Sequence, residues 1–136
     1  MSNVRSQMAA LNLATVEIKA FVPARDFELS KQFYAAAGFT MAFSSEEFAY
    51  FHHGDCSFLL QNFFVKELAE NFVMHLLVEN VDHWHEHIVA QNLFERFGVK
   101  VGMPEDRPWA MRDFTFLDPS GVLWRIAQNI PRAEVQ

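Results

Sequence analysis

The feature that most constrains this chain is a stretch near its end, WAMRDFTFLDPSGVLWRIAQNI, running from Trp109 to Ile130. Phe114 and Phe116 alternate with Thr115 and Leu117, the period of two that marks a strand with one buried face. Asp118-Pro119-Ser120-Gly121 interrupts the alternation as a turn, with Pro fixing φ at its second position and Gly free to take φ > 0. Leu123 to Ala127 then resumes a strand, so the whole reads as a β-hairpin. A fainter copy, FHHGDCSFLLQN from Phe51 to Asn62, lies 67 residues earlier and places Gly54 on Gly121, Gln61 on Gln128 and Asn62 on Asn129. An echo at a fixed offset points to two related units, each with its remaining elements upstream of its hairpin.

Those elements are legible. Thr15 to Val22 (TVEIKAFV) reads as a strand with Val16, Ile18 and Ala20 on one side and Glu17, Lys19 and Phe21 on the other; Pro23 ends it. Asp26 is placed to cap a helix on which Phe27, Leu29, Phe33, Tyr34 and Ala37 recur at helical spacing until Gly38 stops it. Phe39 to Phe43, Phe48 to Phe51 and Ser57 to Gln61 read as three short strands, so the first unit is βαβββ over residues 15–62. The second covers residues 72–130: a strand from Phe72 to Val78, a helix capped by Asp82 with Trp84, Ile88 and Leu93 inward, a strand from Phe97 to Gly102, a charged loop from Pro104 to Pro108, and the closing hairpin. Val22 then matches Val78 and Asp26 matches Asp82 at an offset of 56, so the second unit carries an insertion, placed around Met103 to Arg107.

Length and composition fit one α+β domain over residues 1–136. Half of the chain is hydrophobic and 15 residues are Phe, enough for a core or a lined cavity without disulfides. The lone Cys56 excludes an intrachain bridge and fits a reducing, cytoplasmic setting. Met1 to Leu13 reads as a loose lead-in whose polar start lacks the apolar core of a signal peptide. No apolar run approaches the roughly 20 residues that span a bilayer, so no membrane partner is expected. With a net charge of −6 and no basic stripe, nucleic acid is not an expected partner either.

Two βαβββ units, entered through Val22, Asp26, Phe33, Tyr34, Gly38 and Phe39 and closed by Trp109, Arg112, Asp113, Phe114, Asp118, Pro119 and Gly121, resemble the glyoxalase/bleomycin-resistance/extradiol-dioxygenase (vicinal oxygen chelate) superfamily. The resemblance runs from Thr15 to Gln128, and the exit segment looks most like the bleomycin-resistance-protein branch. It implies two curved sheets forming a cup around a ligand or metal, and dimers with cavities at or near the subunit interface. Metal-dependent members place one ligand on the first and one on the last strand of each unit. Carried onto this chain, those positions are Lys19, Phe58, His75 and Arg125.

Of these four only His75 is a metal donor, because Lys and Arg are cations at neutral pH and Phe has no lone pair to give. A two-residue slip along the same strand face brings in Glu17, leaving His75 and Glu17 as the fallback pair for a divalent ion. No metal and no other cofactor are therefore expected. The helix segment Asp82-His83-Trp84-His85-Glu86-His87 reads as a solvated face, His52-His53 as an exposed turn, and Cys56 as a buried or half-buried inert thiol.

The expected cup is instead lined by Lys19, Phe21, Phe58, Leu60, His75 and Arg125, with Trp109 near its mouth. An apolar, aromatic wall with a few convergent polar groups is the usual makeup of a small-molecule pocket. The resulting expectation is a metal-free, homodimeric, antibiotic-resistance-like binding protein that sequesters a small organic ligand and catalyses nothing. The alternative is a glyoxalase-I-like lyase or isomerase, or a dioxygenase-related enzyme, using His75 and Glu17 with a divalent metal.

Overall fold

The computed structural model describes residues 10–132, so the first nine residues of the expected lead-in lie outside it. The chain forms two four-stranded sheets with helices, the expected α+β architecture of two units. The first contains β1 (Phe21–Pro23), β2 (Thr40–Ser44), β3 (Phe48–His53) and β4 (Cys56–Gln61) in the order β1-β4-β3-β2. Helix α1 (Phe27–Ala37) joins β1 to β2, and the short α2 (Lys66–Glu70) leads to the second sheet. That sheet contains β5 (Val73–Leu77), β6 (Glu105–Arg107), β7 (Met111–Leu117) and β8 (Leu123–Asn129) in the order β5-β8-β7-β6. Helices α3 (Val81–Ala90) and α4 (Leu93–Phe97) lie between β5 and β6. In each sheet the first strand pairs parallel to the last, and the other pairs are antiparallel. Among the described residues no helix is long and apolar enough to cross a membrane.

Local chemistry sets the helix ends. Asp26, in extended conformation, accepts a hydrogen bond from the Leu29 amide at 3.1 Å, and Gly38 closes α1 at φ 115°. The cap of α3 is Asn80 rather than Asp82: Asn80 has the extended backbone and accepts from the His83 amide at 3.0 Å. Asp82 sits inside the first turn and holds Arg112 of β7 at 3.0 Å.

One core serves both units. Tyr34 of α1 packs against Phe51 and Phe58 of the first sheet and Trp124 of the second, and Phe33 packs against Phe116. Each sheet therefore turns one face toward α1 and the other away from it.

Three further expectations change. The expected strand from Thr15 is paired only from Phe21 onward, and residues 11–20 carry no regular structure. Its alternation is real, but among the described residues no strand pairs with it before the Ala20 carbonyl meets the Leu59 amide at 3.0 Å, and Val16 and Ile18 are 98% and 95% exposed. The expected strand from Phe97 to Gly102 is instead the end of α4 and a single bridge from Val101 to Phe116, because Gly98, at φ 71°, closes a helical turn there. The insertion lies before β6 and includes α4, whereas Glu105 to Arg107, where it was expected, pairs with β7.

Candidate functional site

The faces turned away from α1 follow from register. On the first sheet, Phe21 lies opposite Leu59, Leu59 opposite Tyr50, and Tyr50 opposite Phe43, giving one apolar and largely aromatic row. On the second, His75 lies opposite Arg125 and Arg125 opposite Thr115, giving a polar row at the corresponding place. The correspondence is set by the helix caps: Asp26 and Asn80 lie 54 positions apart, as do Phe21 and His75. Leu59 and Arg125, their partners on the last strands, lie 66 apart.

The expected site residues divide between two places. Phe21 is 52% exposed, and with Lys19, His75 and Arg125 it belongs to the outward faces. Phe58 and Leu60 are instead buried on the α1 side, where Phe58 packs on Tyr34, Phe39, Phe51 and Trp124. Counting four residues from the turn glycine lands on opposite faces of β4 and β8. The β3–β4 connection holds only Gly54 and Asp55, whereas the β7–β8 connection holds residues 118–122, so the two glycines are not equivalent. Trp109 lies apart from both rows, in the β6–β7 turn, and is 58% exposed.

The first sheet's outward face is organised by Glu17. Its carboxylate accepts from Lys19 Nζ at 2.6 Å, from the Tyr50 hydroxyl at 2.8 Å and from the Ser57 hydroxyl at 2.5 Å. These donors, Lys19 foremost, favour the charged form and hold the Glu17 carboxyl down to about 2. Lys19 also lies 5.3 Å from the centre of the Tyr50 ring. A cavity of about 450 Å³ beside this cluster is lined by Glu17, Ser57, Phe58, Met74, His75, Leu77 and Trp124.

On the second sheet, Asp113 has no exposed side-chain surface and is held between Arg107 Nε and Arg125 Nη1, each at 2.9 Å. Arg107 also reaches Glu105 at 2.9 Å. Among the described residues Arg125 makes one side-chain hydrogen bond, to Asp113, and it stays partly exposed in the row it shares with His75 and Thr115. The sequence does not mark Tyr50, Ser57, Leu59, Thr115 or Asp113 as site residues, although period-two counting from Phe51 and Phe58 places the first three on the outward face.

The metal positions of the family do not fit this chain. The counterparts of His75 and Arg125 in the first sheet are Phe21 and Leu59, which have no donor atom. The fallback pair, Glu17 and His75, does line one cavity, but both Glu17 oxygens are already engaged by side-chain donors. Among the described residues no three His, Cys, Asp or Glu side chains are grouped to hold a metal ion.

The remaining candidates lie elsewhere. Cys56 is exposed rather than buried, because it is the first residue after the two-residue turn. His53 and His87 both bond to the last carbonyls of α1: His53 Nδ1 to Gly38 at 2.9 Å and His87 Nε2 to Ala37 at 3.1 Å. Cationic or N–H-bearing side chains satisfy a helix C-terminus in this way.

Comparison with known proteins places this geometry. A bleomycin-binding protein complexed with bleomycin shares 23% identity and superposes with a TM-score of 0.73, over 85% of this chain and 99% of that one. An antibiotic-binding protein from Streptomyces shares 23% identity at a TM-score of 0.68, over 87% and 99%. A lactoylglutathione lyase from Agrobacterium tumefaciens shares 15% at 0.62, over 85% and 94%. At these identities the likeness is one of fold. No match was found among curated protein sequences. The family model for the glyoxalase/bleomycin resistance protein/dioxygenase superfamily matches residues 14–126, and the chain belongs to that superfamily.

Proposed function

We propose that this protein is a bleomycin-resistance-like binding protein, acting as a cytoplasmic homodimer that sequesters a small aromatic or amphipathic molecule without metal and without converting it. The observation that carries the reading is the state of the outward faces. Phe21, Val73 and Leu77 are each more than half exposed, at 52%, 55% and 51%, on strands whose other faces turn Val22 and Leu76 into the core. Apolar surface arranged in contiguous rows marks a site for a partner or ligand. A second copy would bring an aromatic row (Phe21, Leu59, Tyr50, Phe43) over a polar one (His75, Arg125, Thr115), the mixture that binds and orients a small organic molecule.

Dimerisation has a second support in residues 15–19, which carry no regular structure and whose Val16 and Ile18 are almost fully exposed, the character of a strand without a neighbour. The solved structures that resemble this one include proteins described as binding bleomycin or another antibiotic, which makes that class of ligand the first to try. The reading is tested by a thermal-shift screen of aromatic and amphipathic compounds, bleomycin among them, followed by recovery of each hit. A ligand that raises Tm and is recovered unchanged supports it. A hit recovered chemically altered would overturn the non-enzymatic reading.

A further inference from the structure

Five of the cations among the described residues are neutralised by a close carboxylate. Lys19 meets Glu17 at 2.6 Å and Lys31 meets Glu28 at 2.7 Å, while Arg107, Arg112 and Arg125 each hold a buried or nearby aspartate. A groove of about 680 Å³ beside the β7–β8 turn departs from this pattern. It is lined by Arg25, Lys66 and Lys100, and among the described residues neither Arg25 nor Lys100 has a carboxylate within 4.0 Å. Lys66 reaches Glu70 only at 4.0 Å, with both side chains more than half exposed, a pairing of little strength.

The groove's other carboxylate, Asp118, is turned into the protein. One oxygen takes the Tyr34 hydroxyl, and the other takes the Ser120 and Val122 amides at 2.8 and 2.9 Å. Arg25 is held in place over the turn: its amide donates to Ser120 Oγ at 2.9 Å, and its Nη2 reaches the Pro119 carbonyl at 3.4 Å. Among the described residues its remaining donors have no partner. The half-buried rings of Phe64 and Phe97 supply an apolar wall, and Phe97 is fixed edge-on against Phe33 at 5.5 Å.

We propose that this groove is a second ligand site, distinct from the outward sheet faces, and that it takes a small aromatic anion such as an aryl carboxylate, sulfonate or phosphate. The volume is that of a small-molecule site. In a chain with a net charge of −6, the lining sets three cations against the exposed Glu70 and the inward-turned Asp118, a local excess of positive charge that favours an anion, and Arg25 offers a planar fork for an oxyanion. Phe64, with Phe97 whose ring also carries the Arg96 guanidinium at 5.2 Å, provides the apolar contact for an attached aromatic group.

The test is an NMR titration of the full chain with phenyl phosphate, with phenol as the uncharged control. The amides of Gly98, Lys100, Ser120 and Gly121 are expected to shift with phenyl phosphate and not with phenol. Arg25→Ala combined with Lys100→Ala is expected to weaken binding at least about tenfold, the loss of one charge-assisted hydrogen bond or more. Lys100→Glu should do the same while leaving Arg25 in place, and Arg125→Gln should leave this binding unchanged. Shifts confined to Tyr50, His75 and Arg125, or unaltered affinity in the double variant, would overturn the proposal. Unaltered affinity in the double variant would leave the sheet-face reading untouched, since the thermal-shift screen reads that separately, whereas shifts confined to Tyr50, His75 and Arg125 would move the anion to the sheet faces.

Discussion

Tyr34, in the helix of the first unit, donates its hydroxyl hydrogen to Asp118, in the closing turn of the second, and accepts one from Trp124 Nε1 at 2.8 Å. All three side chains are buried, and together they join the two units through their common core. Tyr34→Phe removes the oxygen and keeps the ring, leaving the Trp124 indole N–H and one Asp118 oxygen without partners. The expected loss is about 1–3 kcal/mol of unfolding free energy, measured by urea denaturation with an unchanged m-value.

Burial pushes the Asp118 carboxyl above its ordinary value of 3.8, outweighing the hydrogen bonds from Tyr34 and the turn amides that favour its charge. A raised acid binds protons more tightly in the folded state. Its stabilising contribution is complete below the unfolded value and is lost as pH rises through the raised folded value. Asp118→Asn removes this term. The stability of the wild-type protein relative to the variant should therefore fall as pH is raised from just under 4 toward neutrality, read from paired urea titrations at each pH.

Gly38 ends α1 at φ 115°, and a Cβ there would stand 2.8 Å from Nε2 of His87. That ring cannot retreat without breaking its bond to Ala37. Gly38→Ala combines a left-handed backbone cost of about 1–2 kcal/mol with displacement of His87. Lowered Tm and altered His87 ring resonances are the expected pair of observations, whereas Gly54→Ala, at a position with open space, should show only the backbone effect.

Glu17 ties the unpaired segment to the first sheet through Tyr50 and Ser57. Because its carboxyl is depressed, the tether is complete above the ordinary carboxylate range and is lost as pH falls through about 2. Glu17→Gln should loosen the segment already at neutral pH. Faster amide exchange over residues 15–20, with β3 and β4 unchanged, is the expected signature.

Local signals in the sequence translated well. The Asp26 cap, the Gly38 stop and the Asp118-Pro119-Ser120-Gly121 turn each depend on a few neighbouring residues, and each stands where those residues require it. Face assignment did not translate equally. Phe58 and Leu60 were expected in the cup but lie in the core, because a one-residue error in aligning two turns of different length inverts a strand. Leu93 to Phe97 was too short a helix to register as a periodic pattern. Residues 15–20 were read as a strand because alternation reports amphipathic character and not whether a partner lies beside it. The parts played by Tyr50 and Asp113 are not legible in sequence, because they arise from contacts with Glu17 and with two arginines that sequence spacing does not bring together.

The central claim is that the outward faces meet a second copy and hold an organic ligand without a metal. Native mass spectrometry combined with elemental analysis of the untagged protein tests it most directly. The account predicts a dimer with no stoichiometric divalent metal, with or without a retained organic molecule. A monomer carrying one zinc, nickel, iron or manganese ion per chain would contradict it.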